Sequence, residues 1–249
     1  FAAGLAAGGL RPIVAIYSSF LQRAYDQVLH DVCIQNLPVV FAVDRAGLVG
    51  SDGETHQGIF DLSYLSSIPN MSICAPKNKW ELSDMMKFAV DFDGPIAIRY
   101  PRGEAYDGLE EYRTAVEYGK SEWIYKEKDI AIFAVGSMVK TAEKVYELLK
   151  AKGLNVSLIN ARFVKPIDED AVSEATQTHK WIVTMEENVA CGGYGEKVLD
   201  FMNKTSADAE CINIAIPDAY VEHGNVELLK KEISLDAESI AKRILDSME

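Results

Sequence analysis

Short runs of continuous apolar residues alternate with amphipathic stretches along most of this chain. Pro12–Tyr17 reads as a fully buried strand, and from Gln22 to Gln35 the apolar positions Ala24, Val28, Val32 and Cys33 recur at roughly helical spacing. Strands are predicted at Pro38–Val43, Met71–Ala75 and Pro95–Tyr100, with a helix from about Trp80 to Phe92 between the last two. A second series opens at Asp129–Gly136 and continues with a helix Thr141–Lys152 closed by Gly153, a strand Asn155–Asn160 and a helix Glu169–Thr178. Strand Trp181–Met185, a glycine-rich turn into helix Tyr194–Met202, strand Cys211–Ile216 and terminal helices complete it. Strands that are apolar throughout and separated by helices imply parallel sheets covered on both faces. The pattern predicts two doubly wound α/β domains. Between them, 103–128 is polar and weakly periodic, a linker with one or two edge strands, so boundaries fall at 1–105, 106–122 and 123–249.

Composition narrows the function without naming it. The 249 residues are 48% hydrophobic, enough for the cores of two ordinary domains. A formal charge of −13 argues against nucleic acid or an anionic membrane as partner, because both need a basic face. The longest apolar stretches, such as Pro38–Val43, are too short to span a bilayer. Cys33, Cys74, Cys191 and Cys211 form no CxxC pair and read as reduced structural thiols in a reducing compartment. The four histidines lack metal-ligand spacing, so no protein-built metal site is expected. The chain opens on Phe1-Ala2-Ala3-Gly4-Leu5-Ala6, which reads as the middle of a small-residue helix, without a signal peptide, and implies a preceding segment.

In doubly wound sheets ligands lie beyond the carboxyl ends of the strands. Three polar clusters sit at such ends in the first domain: 17–27, from Tyr17-Ser18-Ser19-Phe20 through Arg23 to Gln27; 44–58, from Asp44-Arg45-Ala46-Gly47 to Asp52-Gly53-Glu54-Thr55-His56-Gln57-Gly58; and Arg99-Tyr100-Pro101-Arg102-Gly103. Contributed by separate strands, they are expected to converge on one crevice.

The Asp52–Gly58 run resembles the hallmark of the transketolase-like pyrimidine-binding domains of thiamin-diphosphate enzymes. Its combination with 17–27, Asp44–Gly47, Phe60–Leu65 and Arg99–Gly103 resembles one branch, whose members join pyruvate to glyceraldehyde 3-phosphate with loss of carbon dioxide. The resemblance covers the whole chain, although only the first hundred or so residues carry specific motifs. It implies thiamin diphosphate with Mg2+ as cofactor, a bacterial cytoplasmic setting and a homodimer.

The resemblance also gives each motif residue a task. Phe20 would stack on the aminopyrimidine ring, and Arg23 would line the cofactor pocket or hold its helix. His56 would be the chief acid–base group, because an imidazole donates or accepts near neutral pH. Asp52 would bind a substrate hydroxyl, with Gly53 permitting close approach. Arg45 and Arg102 would clamp the acceptor's phosphate with forked, charge-assisted bonds, while Tyr17 and Ser18 would line the donor pocket. Arg99 reads as structural. The family's activating glutamate and its magnesium and diphosphate ligands belong to preceding sequence, so the chain would hold half a site, inactive by itself and partnered by its own preceding domain.

In the second domain, Glu186-Glu187-Asn188 before Cys191-Gly192-Gly193-Tyr194-Gly195 could form a nest of N–H groups, though a structural turn with a dimer contact is the stronger reading. His223-Gly224 reads as a loop. A transketolase half, a ketoacid-dehydrogenase β subunit or a non-catalytic assembly module would share the domain order, and the pairing of 17–27 with Asp44–Gly47 favours the synthase branch.

Overall fold

A computed structural model describes residues 1–248. It contains two five-stranded sheets, each parallel except for one antiparallel edge strand. The first sheet draws on β1 (Ile13–Tyr17), β2 (Val40–Asp44), β3 (Ser72–Cys74) and β4 (Ile96–Arg99). The second draws on β5 (Glu122–Tyr125), β6 (Asp129–Ala134), β7 (Val156–Asn160), β9 (His179–Val189) and β10 (Glu210–Ile216). β8 (Phe163–Lys165) leaves the second series and completes the first sheet against β3, giving the order β1-β2-β4-β3-β8 beside β10-β9-β6-β7-β5. A strand from the 123–249 segment thus finishes the sheet of the 1–105 segment.

Helices fill the crossovers. α1 (Ala2–Ala7) precedes β1, and α2 (Ser18–Leu21) and α3 (Tyr25–Gln27) belong to a helical run over 18–33 that tightens to a 3₁₀ turn at Gln22–Ala24 and widens to a π-turn at Val28–Cys33. The others are α4 (Asp61–Ser66), α5 (Lys79–Asp91), α6 (Met138–Lys150), α7 (Glu169–Thr178), α8 (Tyr194–Lys204), α9 (Val226–Glu232) and α10 (Ala237–Ser247). Their starts have physical causes: Asn78 accepts the Glu81 N–H at 2.9 Å, Asp168 accepts that of Ala171 at 3.2 Å, and Asp236 accepts that of Ser239 at 3.2 Å.

Alternation along the strands builds the cores. Ala131 and Phe133 of β6 enter one apolar cluster while Ile130, Ile132 and Ala134 enter another. The first cluster also takes Val43 of β2, Ile73 of β3, Leu62 and Leu65 of α4, and Tyr194 and Val198 of α8. The two sheets therefore share a core with α4 and α8 in it. β1 departs from expectation: it is an edge strand paired only with β2, and Ile13 is 48% exposed, so its apolar run is not buried on both faces. None of the described helices is long and apolar enough to cross a membrane.

Candidate functional site

The carboxyl ends of β1, β2 and β4 deliver the three clusters to one place. Tyr17 ends β1, and the turn into α2 brings the Phe20 ring to 4.9 Å from the Tyr17 ring, nearly parallel at 20°. Phe20 is 48% exposed, unusual for an aromatic ring at a sheet end. His56 meets it edge-on, with centroids 5.5 Å apart, and Arg45 lies over the other partner, its guanidinium carbon 3.8 Å from the Tyr17 ring centre. Arg45, Tyr17, Phe20 and His56 therefore form one continuous row.

Arg45 follows β2 with φ +56°, a left-handed backbone uncommon outside glycine. Its neighbour holds it there: one Asp44 carboxylate oxygen accepts the Arg45 N–H at 2.7 Å and the other pairs with the guanidinium. Arg102 pairs with Asp52 at 3.1 Å, both half exposed. Arg45 and Arg102 line a single cavity of about 400 Å³ together with Lys79, Tyr100 and, from the second domain, Ser137.

Asp52 and His56 ride on a closed loop. Gly47 and Gly58 exchange backbone hydrogen bonds of 2.6 and 2.8 Å, tying its two ends, and Thr55 Oγ1 lies 2.9 Å from His56 Nδ1. The loop rests on buried charge. Arg99, 3% exposed, binds Asp61 through bonds of 2.7 and 3.1 Å and donates to the carbonyls of Gly58 and Glu187. Its structural role is as expected from the sequence. From the end of β9, Glu187 accepts the Leu48 N–H at 2.9 Å and the Ser137 hydroxyl at 2.8 Å.

Several expected residues land elsewhere. Ser18 is fully buried behind Gly58, and its hydroxyl has no partner among the described residues, so it does not face the crevice. The Arg23 side chain is exposed on the 3₁₀ turn and makes no side-chain hydrogen bond or ion pair among the described residues. Gly53, at φ +72°, does allow a close approach, but the approaching group is the His223 backbone and Cβ, the latter 3.3 Å from where a side chain would start.

The glycine-rich nest of the second domain is filled by the protein's own anion. Glu186 accepts the Tyr194 and Gly195 N–H groups at 2.7 and 2.8 Å at the start of α8. Burial raises its carboxyl to about 7, against the pull of those two bonds and of Lys197. Since the folded value lies above the unfolded one, the stability contributed here is whole below the ordinary carboxyl range and is lost as pH rises towards and past about 7. Glu186→Gln, which cannot titrate, is expected to flatten the part of a thermal-stability profile between about pH 5 and 7.5; a slope equal to wild type contradicts the assignment.

This chain belongs to the transketolase family, in the form of two of its domains. Residues 1–107 match the family described as "Transketolase, pyrimidine binding domain", and residues 119–240 match "Transketolase, C-terminal domain". Over 98% of its length the chain is 56% identical to the 1-deoxy-D-xylulose-5-phosphate synthase of Lachnoclostridium phytofermentans, covering 39% of that protein. It is 50% identical to the enzyme of the same name from Clostridium tetani over 99% of its length, and 47% identical to that from Aquifex aeolicus over its full length, in each case covering 40% of the relative. The chain thus spans about two fifths of the length of the curated relatives it matches. Among solved structures it superposes on a split-gene transketolase described as an inactive β4 tetramer, with a TM-score of 0.86 and 25% identity over 98% of this chain and 78% of that one. It shares its fold with the Campylobacter jejuni transketolase at a TM-score of 0.77 and 16% identity, over 98% of this chain and 37% of that one.

Proposed function

We propose that this chain supplies the acceptor-binding and proton-handling face of a synthase that uses thiamin diphosphate to join pyruvate and glyceraldehyde 3-phosphate, releasing carbon dioxide. The observation carrying this reading is the row Arg45–Tyr17–Phe20–His56 beside a cavity shared by Arg45 and Arg102. The 46–56% identity to synthases of that name supports it.

The residues fit the cofactor's ring. Phe20 offers an exposed aromatic face backed by Tyr17, which suits a flat heterocycle such as the aminopyrimidine. Bound there, thiamin diphosphate supplies the electron sink that side chains lack. Mg2+ and the diphosphate ligands belong to the preceding domain in this reading, and among the described residues no group of three His, Cys, Asp or Glu is arranged to hold a metal.

His56 holds and moves the proton. Thr55 contacts Nδ1, and a hydroxyl either accepts from or donates to that nitrogen, so Nε2 serves as base or acid as the substrate oxygen requires. The acceptor's phosphate enters the cavity of about 400 Å³, where it competes with Asp52 for Arg102 and with Asp44 for Arg45. Asp52, released, accepts a hydroxyl of the aldehyde. Turnover requires the preceding domain, and the assembly is a cytoplasmic homodimer.

The clamp is testable. Losing one charge-assisted bond is worth about 1.5–3 kcal/mol, so Arg45→Ala is expected to raise the KM for glyceraldehyde 3-phosphate about 10- to 150-fold. The pyruvate KM should stay put, and the penalty should vanish with unphosphorylated glyceraldehyde as acceptor. An unchanged aldehyde-phosphate KM removes Arg45 from the clamp.

A further inference from the structure

The loop carrying Asp52 and His56 does not stand alone: the second domain grips it through Glu187, which accepts the Leu48 N–H, and through one buried side chain of the loop itself. Gln57 is 2% exposed although it is a polar residue directly following His56. Its amide oxygen accepts the Val49 N–H at 2.8 Å, closing the loop from inside. Its amide nitrogen donates outward, to the carbonyls of Val221 at 3.3 Å and Glu222 at 3.1 Å, in the segment between β10 and α9. Beside these bonds, backbone meets backbone. The Gly224 N–H donates to Gly50 O at 3.2 Å, and a side chain at Gly50 would start 2.7 Å from Gly224 O. Gly53 is packed against His223.

A buried primary amide is costly unless both ends are satisfied. Here the two ends are satisfied by different bodies, the acceptor by the loop and the donors by the second domain. We infer that Gln57 is a positioning residue that sets Asp52 and His56 by fastening their loop to the 217–225 segment, so that the second domain contributes to acceptor binding as well as to assembly. The inference rests on the functional reading above for its kinetic consequence, but not for its structural one.

Two substitutions in the active protein separate the halves of the amide. Gln57→Glu keeps an acceptor for Val49 and sets an oxygen against the two carbonyls. Gln57→Met removes both halves without adding charge. If the outward bonds position the site, Gln57→Glu lowers kcat/KM for glyceraldehyde 3-phosphate at least about tenfold while the pyruvate KM holds within about twofold. In both variants, hydrogen–deuterium exchange is expected to quicken at 49–58 and 217–225 together, with β6, β7 and β9 unchanged. The inference is overturned by a Gln57→Glu protein with wild-type kinetics, by quickening confined to 49–58, or by uniform quickening across both sheets, which marks a purely structural amide. Exchange needs no turnover. A wild-type protein that fails to condense the two substrates, yet loosens both segments when Gln57 is replaced, would sink the functional reading and leave the coupling standing.

Discussion

Replacing His56 with asparagine is expected to lower turnover by about 10²–10⁴-fold, the usual yield of a positioned acid–base group. Melting temperature should barely move. The imidazole is half-buried and makes one hydrogen bond, to Thr55, so little of the fold depends on it. Its neighbours argue for a chemical role. A histidine against the edge of an exposed aromatic ring lies on the same closed loop as Asp52, and the row that it ends runs through Tyr17 to Arg45, which lines the cavity with Arg102. Steady-state kinetics with both substrates and a thermal melt decide the matter. A loss below about tenfold would leave His56 a packing residue and move proton transfer elsewhere.

The second large effect concerns the joint between the domains. Lys77, Glu81, Glu122 and Arg162 form a balanced cluster of two cations and two anions, each side chain at most 3% exposed. Glu122 accepts from Lys77 at 2.5 Å, from Arg162 at 2.9 Å and from the Thr114 N–H and hydroxyl at 2.9 and 2.7 Å. Glu122→Ala leaves two buried cations to share one buried anion, Glu81, at a cost of about 3–5 kcal/mol, hence a melting point lower by roughly 6–20 °C. Calorimetry checks it; a drop under roughly 3 °C means the cations find other partners. The pH dependence follows from the same contacts. Burial pushes the Glu122 carboxyl up, but the Lys77 hydrogen bond and the Arg162 charge outweigh it and hold it below its ordinary value. Its contribution is present above the ordinary carboxyl range and is lost as acid carries the pH down through the folded value.

The strands that bury both faces were legible because short, β-branched apolar runs such as Ile130–Ala134, bounded by polar residues and helices, suit a covered parallel sheet. Helix α7 matched its expected bounds, Glu169–Thr178, because Asp168 caps it and β9 begins at His179. β8 was not legible. Three residues carry no periodicity, and their partners Ile73 and Cys74 lie some ninety positions earlier in the chain. β1 misled because an edge strand and a central one can share the same apolar run, and only the pairing tells them apart.

Within the site, the residues singled out by motif include Tyr17, Phe20 and His56, which the structure sets in one row, and Arg45 and Arg102, which it sets on one cavity. It misplaced Ser18, because a small hydroxyl beside an aromatic gives no sign of which face it turns. It missed Gln57, Glu187 and the 217–225 segment, whose roles depend on contacts between domains. The glycine-rich turn, read chiefly as structural, does present N–H groups to a carboxylate, but the carboxylate is Glu186, from the preceding strand.

The most direct test of the central claim is to identify the products formed when the protein, together with its preceding domain and thiamin diphosphate with Mg2+, is given pyruvate and glyceraldehyde 3-phosphate. Mass spectrometry with pyruvate labelled at the carboxyl carbon is expected to find one labelled carbon dioxide for each five-carbon 1-deoxyketose phosphate formed, with neither appearing when either substrate is withheld. Two-carbon transfer between sugar phosphates, with no carbon dioxide released and pyruvate untouched, would contradict the account and assign the site to a transketolase.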